Sequence, residues 1–333
     1  MKGFIMIITK TPFRISFVGG GSDLESFYAR SKGAVISTSI NKYMYISSHR
    51  FFDEEKIRIK YSKTETVNSV EKIQHPIVRE VLKKFQINGA LEISSNADVP
   101  AGTGLGSSSS FTVGLLHNMY TVMGKYVTKN SLAEQACDIE INKLHEPIGK
   151  QDQYAASFGG LNLITFHSSG TVTVDPIHIK KDILYRFQNN LLMFYLGKQR
   201  SASSILIEQN KNMEDDNRFR MLQSMVNLVP EFRENLYSGD LNQVGKLLHE
   251  NWLLKQNLAS SISSDEINKI YTHALNYGAL GGKLLGAGGN GFLLLYCNEN
   301  EQARLRTAMA HFREMSFQFD HDGSRVIYVG DET

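Results

Sequence analysis

The stretch "VPAGTGLGSSSS", residues 99–110, places three glycines at alternate positions directly ahead of four consecutive serines. Glycine lets a backbone approach a ligand closely, in conformations that other residues rarely adopt. The apolar run after the serines predicts a buried helix, whose first N–H groups and dipole favour an anion. The stretch therefore indicates a loop that wraps phosphate; the alternative is a tight strand-to-helix turn capped by serine.

Two common nucleotide-binding loops do not match this stretch. The dinucleotide fingerprint needs the spacing G-x-G-x-x-G after the first strand of a βαβ unit, whereas Gly102, Gly104 and Gly106 alternate and follow a predicted meander of strands. The P-loop needs a Gly-Lys-Ser/Thr sequence, which is absent here. A flexible linker is also disfavoured, because the stretch lies inside one predicted domain.

The composition is that of an ordinary globular protein. The 333 residues are 41% hydrophobic and 21% charged, with a formal net charge of only +2. No overall basic field points to nucleic acid or to an acidic membrane surface. Cys137 and Cys297 form no CxxC pair, so we expect reduced core thiols. The short apolar run near the N-terminus predicts a strand rather than a secretory signal, and we expect a soluble, cytoplasmic protein.

Secondary-structure signals divide the chain into two parts. Short β-branched and aromatic segments predict several strands in the first half, while helical spacing dominates the second half, which keeps a few strands. We place the boundary at residue 188. The sequence thus predicts an α+β protein with an N-terminal domain over 1–188 and a C-terminal domain over 189–333.

Two further motifs accompany the glycine-serine stretch, one towards each end of the chain. They are "TPFRISFVGGGSD" at 11–23 and "GGKLLGAGGNGFLLLY" at 281–296. In type and order the three motifs resemble those of the GHMP kinase superfamily, which contains galactokinase, homoserine kinase, mevalonate kinase and phosphomevalonate kinase. The resemblance implies an N-terminal domain like domain 2 of ribosomal protein S5 and a ferredoxin-like C-terminal domain. It also implies an active site between them that uses ATP and Mg²⁺.

Two segments narrow the range of substrates that the resemblance implies. "IRIKYSKTETV" at 57–67 and "EPIGKQDQYAASFGGLN" at 146–162 look closer to sugar 1-kinases of the D-glycero-D-manno-heptose 7-phosphate kinase type. Galactokinases carry G-E-H-T-D where this chain has "GGGSD", which argues against galactose. The resemblance implies phosphorylation of the anomeric hydroxyl, giving heptose 1,7-bisphosphate for cell-surface polysaccharide synthesis. The alternatives are a fucokinase- or galactokinase-like enzyme for an unphosphorylated sugar, and a non-catalytic sugar- and nucleotide-binding regulator.

The resemblance also assigns the chemistry. Asp152 matches the catalytic aspartate and would take the proton of the acceptor hydroxyl, with Arg14 stabilising phosphoryl charge or keeping Asp152 ionised. Lys150 either assists or is surface charge. Mg²⁺ is expected at Ser108 and Glu140; Asp138 is the competing carboxylate, on a different helix face. The residues assigned to the phosphates of ATP are Pro100, Gly102, Gly104, Leu105, Gly106, Ser107, Ser108 and Ser109.

Residues from three parts of the chain are assigned to the sugar acceptor. Lys198 and Arg200 are the predicted anion pocket for a phosphate already on the sugar. Gly286, Gly288 and Gly289 are expected to brace the phosphate loop and line the substrate site. The sugar itself is assigned to Gly20, Gly21, Ser22 and Asp23. The expected partners are a small sugar phosphate and ATP, and the oligomeric state is left open, with a homodimer among the alternatives.

Overall fold

The structure is a computed structural model that describes residues 6–197, 202–289 and 291–330. Its strands are β1 Ile7–Val18, β2 Gly33–Arg50, β3 Ile57–Lys60, β4 Thr64–Val67, β5 Leu91–Ala97, β6 Leu161–Phe166, β7 Val172–Pro176, β8 Leu191–Tyr195, β9 Ala279–Leu284, β10 Phe292–Cys297, β11 Arg313–Glu314, β12 Phe319–Asp320 and β13 Arg325–Val329. Its α-helices are α1 Glu25–Tyr28, α2 Pro76–Phe85, α3 Ser107–Val122, α4 Lys129–Cys137, α5 Gln151–Phe158, α6 Lys181–Asn189, α7 Ala202–Asn212, α8 Asp216–Ser238, α9 Leu241–Lys255, α10 Asp265–Asn276 and α11 Gln302–Ala308. Three other helical segments are the 3₁₀ turns Val70–Lys72 and Glu299–Glu301 and the π-helix Asp138–Lys143.

A nine-stranded sheet contains most of the strands of the first half. Its main path runs β13-β1-β2-β5-β3-β4, with β12 and β6 also pairing with β2. The long antiparallel pair of β1 and β2 carries Arg14 opposite Ser39. Strands β12 and β13, near the C-terminal end of the chain, pair with β2 and β1 of this sheet. The strands of residues 189–333 therefore do not all belong to one sheet. The predicted division at residue 188, which falls within α6, stays a prediction.

A four-stranded antiparallel sheet, in the order β11-β8-β10-β9, lies in the second half. Every residue of β10 is buried, as its unbroken apolar sequence indicates. Helix α9 packs closely on β9, because a Cβ atom at Gly281 would lie only 2.0 Å from the carbonyl oxygen of Gly245. This close approach holds the first half of α9 against the sheet.

Local signals explain where the helices near the site begin and end. Helix α3 begins after Gly106, which has the left-handed conformation, and Gly124 beyond its end is also left-handed, as the sequence indicates. The Thr128 side chain caps α4 by accepting from the N–H of Ser131. The π-helix directly after α4 is not predicted by the sequence pattern. Its wider turn changes the direction in which the following side chains point.

The two cysteines lie in the core, as the sequence predicts. Cys137 and Cys297 are both buried and free. Among residues 6–197, 202–289 and 291–330, no helix has the length and apolar character needed to cross a membrane. Within the described residues, two largely antiparallel sheets combine with eleven α-helices, which confirms the predicted α+β class.

Candidate active site

A cavity of about 300 Å³ lies where the glycine-rich loops meet the helices of the second half. Its wall comes from β1 and the turn after it, the loop before α3, the loop before α5, helices α7 and α9, and the turn after β9. The lining residues are Arg14, Ser16, Gly20, Gly21, Asp23, Leu24, Gly102, Gly104, Gly106, Ser107, Ser108, Ser109, Glu146, Ile148, Gly149, Gln151, Asp152, Ser203, Leu206, Gln209, Lys255, Gly286 and Ala287.

Arg14 and Asp152 form a two-point ion pair in this cavity. Arg14 Nε donates to Asp152 Oδ1 at 2.6 Å, and Nη2 donates to Oδ2 at 2.5 Å. The third donor, Nη1, reaches the carbonyl oxygen of Gly104 at 2.5 Å. The Arg14 side chain is 6% exposed and that of Asp152 is 25% exposed, so only the carboxylate keeps appreciable access to the cavity. The structure thus brings together the predicted catalytic pair and the phosphate loop.

The glycine loop follows a backbone path that residues other than glycine rarely adopt. Gly102, Gly104 and Gly106 have φ values of 76°, 87° and 74°. A Cβ atom at Gly104 would lie 2.4 Å from the carbonyl oxygen of Leu285, so the loop fits tightly against the third motif. No side chain caps α3, which leaves its first N–H groups, in Ser107 to Ser109, available to an anion. This uncapped helix start fits the phosphates of ATP.

Pro100 and Leu105 shape the loop from behind. The carbonyl oxygen of Pro100 accepts from the Thr103 hydroxyl at 3.0 Å, and that of Leu105 accepts from the N–H of Arg14 at 3.1 Å. The Leu105 side chain is buried and neither residue is part of the cavity wall. Their contribution is therefore to loop geometry, and direct contact with ATP has no support for these two positions.

Ser108 and Glu140 are in contact. Ser108 Oγ donates to Glu140 Oε1 at 2.8 Å, and Gln153 Nε2 donates to Oε2 at 2.7 Å. Glu140 is fully buried, and burial raises its pKa to about 7 against the lowering effect of these hydrogen bonds. The π-helix turns Glu140 inwards, whereas the Asp138 side chain is 46% exposed and accepts from Asn142. Of the two competing carboxylates, the structure brings only Glu140 to the serine.

This hydroxyl and carboxylate are hard oxygen ligands of the type that Mg²⁺ prefers. Within the part of the chain that the structure describes, no cluster of three or more His, Cys, Asp or Glu side chains could hold a metal ion. Mg²⁺ typically binds through one or two carboxylates and takes its other ligands from phosphates and water. The pair Ser108 and Glu140 therefore fits an ion that enters with ATP.

The first motif forms a tight turn whose carboxylate faces backbone. Asp23 accepts from the N–H of Gly21 at 3.0 Å and from the N–H of Gln151 at 3.2 Å, which ties the turn to α5. Burial, followed by the charge of Asp152, raises the pKa of Asp23. Gly20 and Gly21 line the cavity, but Ser22 does not: it is fully buried and its hydroxyl donates to the carbonyl oxygens of Gly19 and Ala34.

Three other sequence expectations have different outcomes. Lys150 points away from Asp152, because its Nζ donates to the carbonyl oxygen of Gly170 in a hairpin turn at 2.7 Å. Gly288 packs against the backbone of Ile262, where a Cβ atom would lie 2.7 Å from the carbonyl oxygen, while Gly286 is the glycine of this turn that lines the cavity. Contact between Gly288 and substrate therefore has no support. Lys198 and Arg200 lie outside the described residues.

Several polar residues of the cavity wall were not predicted from the sequence, among them Gln151, Gln209 and Lys255. Gln151 accepts from Ser16 Oγ at 2.8 Å, and its amide donates to Asp152 Oδ1 at 3.2 Å. Gln209 and Lys255 reach the cavity from α7 and α9. A signal did exist for Lys255, which falls one helical turn after the buried Asn251 and so on the inward face.

Two family models match this chain. The model "GHMP kinases N terminal domain" matches residues 69–160, and "GHMP kinases C terminal" matches residues 232–314. The chain belongs to the GHMP kinase family. It is a kinase with the two-domain fold of that family, as the three motifs predict. Kinases of this family use ATP.

Individual relatives agree with this assignment. A D-glycero-alpha-D-manno-heptose 7-phosphate kinase from Campylobacter jejuni is 26% identical over 314 residues, covering 91% of this chain and 93% of that protein. A galactokinase from Pyrococcus furiosus is 26% identical over 350 residues, covering 92% of this chain and 94% of that protein. The crystal structure of a D-glycero-D-manno-heptose 1-phosphate kinase from Bacteroides thetaiotaomicron superposes with a TM-score of 0.80 at 21% identity, covering 98% of this chain and 100% of that chain.

Proposed function

We propose that this kinase transfers the γ-phosphoryl group of ATP to the anomeric hydroxyl of D-glycero-D-manno-heptose 7-phosphate, giving the 1,7-bisphosphate and ADP. The observation that carries the proposal is the Arg14–Asp152 pair, held at 2.5 Å beside the phosphate loop in one cavity. The Campylobacter jejuni relative, whose name specifies heptose 7-phosphate, supports this choice of sugar over nearly the whole chain. The proposal includes a cytoplasmic enzyme.

Asp152 is the proton acceptor in this mechanism. Its carboxylate is oriented by Arg14 and Gln151 and remains partly accessible from the cavity. The acceptor hydroxyl donates to Asp152, and its proton passes to the carboxylate as the new O–P bond forms and the bond to ADP breaks. A positioned general base of this kind contributes roughly 10²–10⁴ in rate. Arg14 holds the Asp152 carboxylate in place through two hydrogen bonds and adds positive charge beside the phosphoryl group.

The start of α3 would hold the phosphates of ATP, and the Glu140 carboxylate behind it would hold the accompanying Mg²⁺. The N–H groups of Ser107 to Ser109 would bind phosphate oxygens, and Ser108 and Glu140 would hold Mg²⁺. When bound, Mg²⁺ neutralises phosphate charge and so favours phosphoryl transfer. Gly106 keeps a side chain out of the space between the loop and the ion pair, because a Cβ atom there would lie 3.1 Å from Asp152 Oδ2 and 3.3 Å from Arg14 Cγ.

One observation favours a second candidate, a kinase of an unphosphorylated sugar. In the described part of the cavity wall, the two cations are Arg14 and Lys255, and both already donate to protein oxygens. A phosphate already present on the sugar would therefore need the predicted pair Lys198 and Arg200. Exchanging either of these residues for alanine should raise the KM for a phosphorylated sugar more than it lowers kcat.

A coupled ADP-release assay over a panel of sugars tests the proposal. The panel contains heptose 7-phosphate, unphosphorylated heptose, fucose, galactose, and hexose 6-phosphates. We expect kcat/KM for heptose 7-phosphate to exceed that for every unphosphorylated sugar by about 100-fold or more, because a charged phosphate adds charge-assisted hydrogen bonds. Equal or better turnover of an unphosphorylated sugar would replace the proposal with the second candidate.

A further inference from the structure

Gln209 presents a buried hydrogen-bond donor without a partner to the cavity. The residue is 2% exposed, and its Nε2 has no hydrogen-bond partner among the described residues. The same nitrogen lies against Gly21, where a Cβ atom would approach it to 2.4 Å. A buried amide donor without an acceptor destabilises a folded protein, so such a group on a cavity wall indicates a ligand oxygen that pairs with it.

Lys255 is a second donor that the fold satisfies only in part. It is 5% exposed, and within the described residues its Nζ has one hydrogen bond, to the carbonyl oxygen of Gly286 at 2.5 Å. An ammonium group carries three N–H donors. Burial and then the charge of Arg14 lower the pKa of Lys255 to about 8, while Asp23 and Asp152 oppose that shift. The side chain therefore stays mostly protonated at neutral pH.

The helices that carry both side chains are held by contacts with the first motif and with α1. Asn251, one turn before Lys255, accepts from the N–H of Gly19 at 3.0 Å. On α7, Asn210 follows Gln209 and pairs with Ser26 at 2.8 Å. The second half of the chain thus presents two oriented donors to the cavity that contains Asp152.

Their positions differ relative to the reacting groups. Gln209 lies over the turn that contains Gly21, whereas Lys255 is anchored at Gly286, which packs against Gly104 of the phosphate loop. A neutral amide over the first motif suits a hydroxyl oxygen of the acceptor. An ammonium group beside the phosphate loop and Asp152 suits an anionic phosphoryl oxygen.

We propose that Gln209 binds a hydroxyl oxygen of the sugar acceptor and that Lys255 binds the phosphoryl group as it passes from ADP to the acceptor oxygen. This inference rests on the proposed function. During transfer the acceptor O–P bond forms, the P–O bond to ADP breaks, and the proton goes to Asp152. Lys255 keeps its protons throughout and contributes charge and hydrogen bonds.

Three variants test the two roles: Gln209→Leu, Lys255→Met and the control Lys246→Met, an exposed lysine on the same helix as Lys255. Initial rates are measured by ADP release, first with the sugar varied at saturating ATP and then with ATP varied. Melting temperatures are measured for each protein without ligands. The sugar used is the member of the panel that wild-type protein phosphorylates best, so failure of heptose 7-phosphate alone rejects only the proposed function.

We expect Gln209→Leu to raise the KM for the sugar by about 10–100-fold, with the KM for ATP within about twofold and no loss of melting temperature. A structural role for Gln209 would instead lower the melting temperature and affect both substrates. We expect Lys255→Met to lower kcat by about 100-fold, and Lys246→Met to match wild type. A sugar KM within about twofold for Gln209→Leu, or a kcat within about threefold for Lys255→Met, would overturn the respective role.

Discussion

Replacing Glu140 with glutamine should make the ligand-free protein more stable at neutral pH while removing most of its activity. Glu140 is fully buried, and its pKa rises from the ordinary 4.5 to about 7. The folded protein therefore holds a proton at this site that the unfolded chain has already lost between these two values. The stability that this proton gives is complete below pH 4.5 and disappears as the pH rises through about 7.

The size of this difference in stability follows from the pKa shift of Glu140. One pKa unit corresponds to about 1.4 kcal/mol, so the ionised carboxylate costs about 3 kcal/mol at pH 8. The glutamine variant avoids this cost. Its amide keeps the acceptor for Ser108, and Gln153 has a free Oε1 that would accept from the new amide after its own amide turns over. The difference in free energy of unfolding, variant minus wild type, should grow by about 2–3 kcal/mol between pH 5 and pH 8.

Urea unfolding at 25 °C in EDTA, without nucleotide, measures this difference at several pH values. Glu134→Gln, an exposed position on α4, controls for the substitution itself. A difference between wild type and Glu140→Gln that stays constant from pH 5 to pH 8 would refute the reasoning. With ATP and Mg²⁺ present, the same variant should lose about 100-fold or more in kcat/KM, because the carboxylate assigned to the metal is gone.

Three further substitutions test the loop and its neighbours. Gly104→Ala should raise the KM for ATP about tenfold or more, because its φ of 87° and a Cβ 2.4 Å from Leu285 O displace the loop; an ATP titration showing unchanged affinity would contradict this. Lys150→Met should keep kcat within about threefold and lose about 1–2 kcal/mol of stability, since Nζ binds Gly170; a large loss of kcat at unchanged stability would place Lys150 in the chemistry. Arg14→Met should lower both kcat and stability, because Asp152 then loses its partner; parallel kinetics and urea unfolding check this, and normal kcat would remove Arg14 from the reaction.

Local patterns in the sequence were enough to predict much of the fold. The apolar run after the serines predicts α3, and Thr128 predicts the start of α4. The return of β12 and β13 to the first sheet could not be predicted in this way, because it depends on pairing between residues about 280 to 320 positions apart. The α+β class needs only the order and type of the elements, whereas sheet membership needs these long-range contacts.

The residues of the site also divide into those that the sequence predicts and those that only the structure shows. Arg14, Ser108 and Asp152 belong to recognisable motifs, Glu140 was assigned through the family resemblance, and the structure brings the four together in two pairs. Glu140 rather than Asp138 reaches Ser108 because of a π-helix that no sequence pattern predicts. Gln209 and Lys255 lie on helices whose other residues are ordinary, so only the packing of α7 and α9 against the first motif shows that they face the cavity.

The central claim is that Asp152 is the base of a sugar kinase. Asp152→Asn keeps the size of the side chain and an oxygen that can accept from Arg14, but it cannot take the acceptor proton. Single-turnover transfer from ATP to the preferred sugar, with ATP binding measured in parallel, tests this directly. We predict a fall in the transfer rate of about 10²–10⁴ with ATP affinity within about threefold of wild type. A transfer rate close to that of wild type would contradict the account.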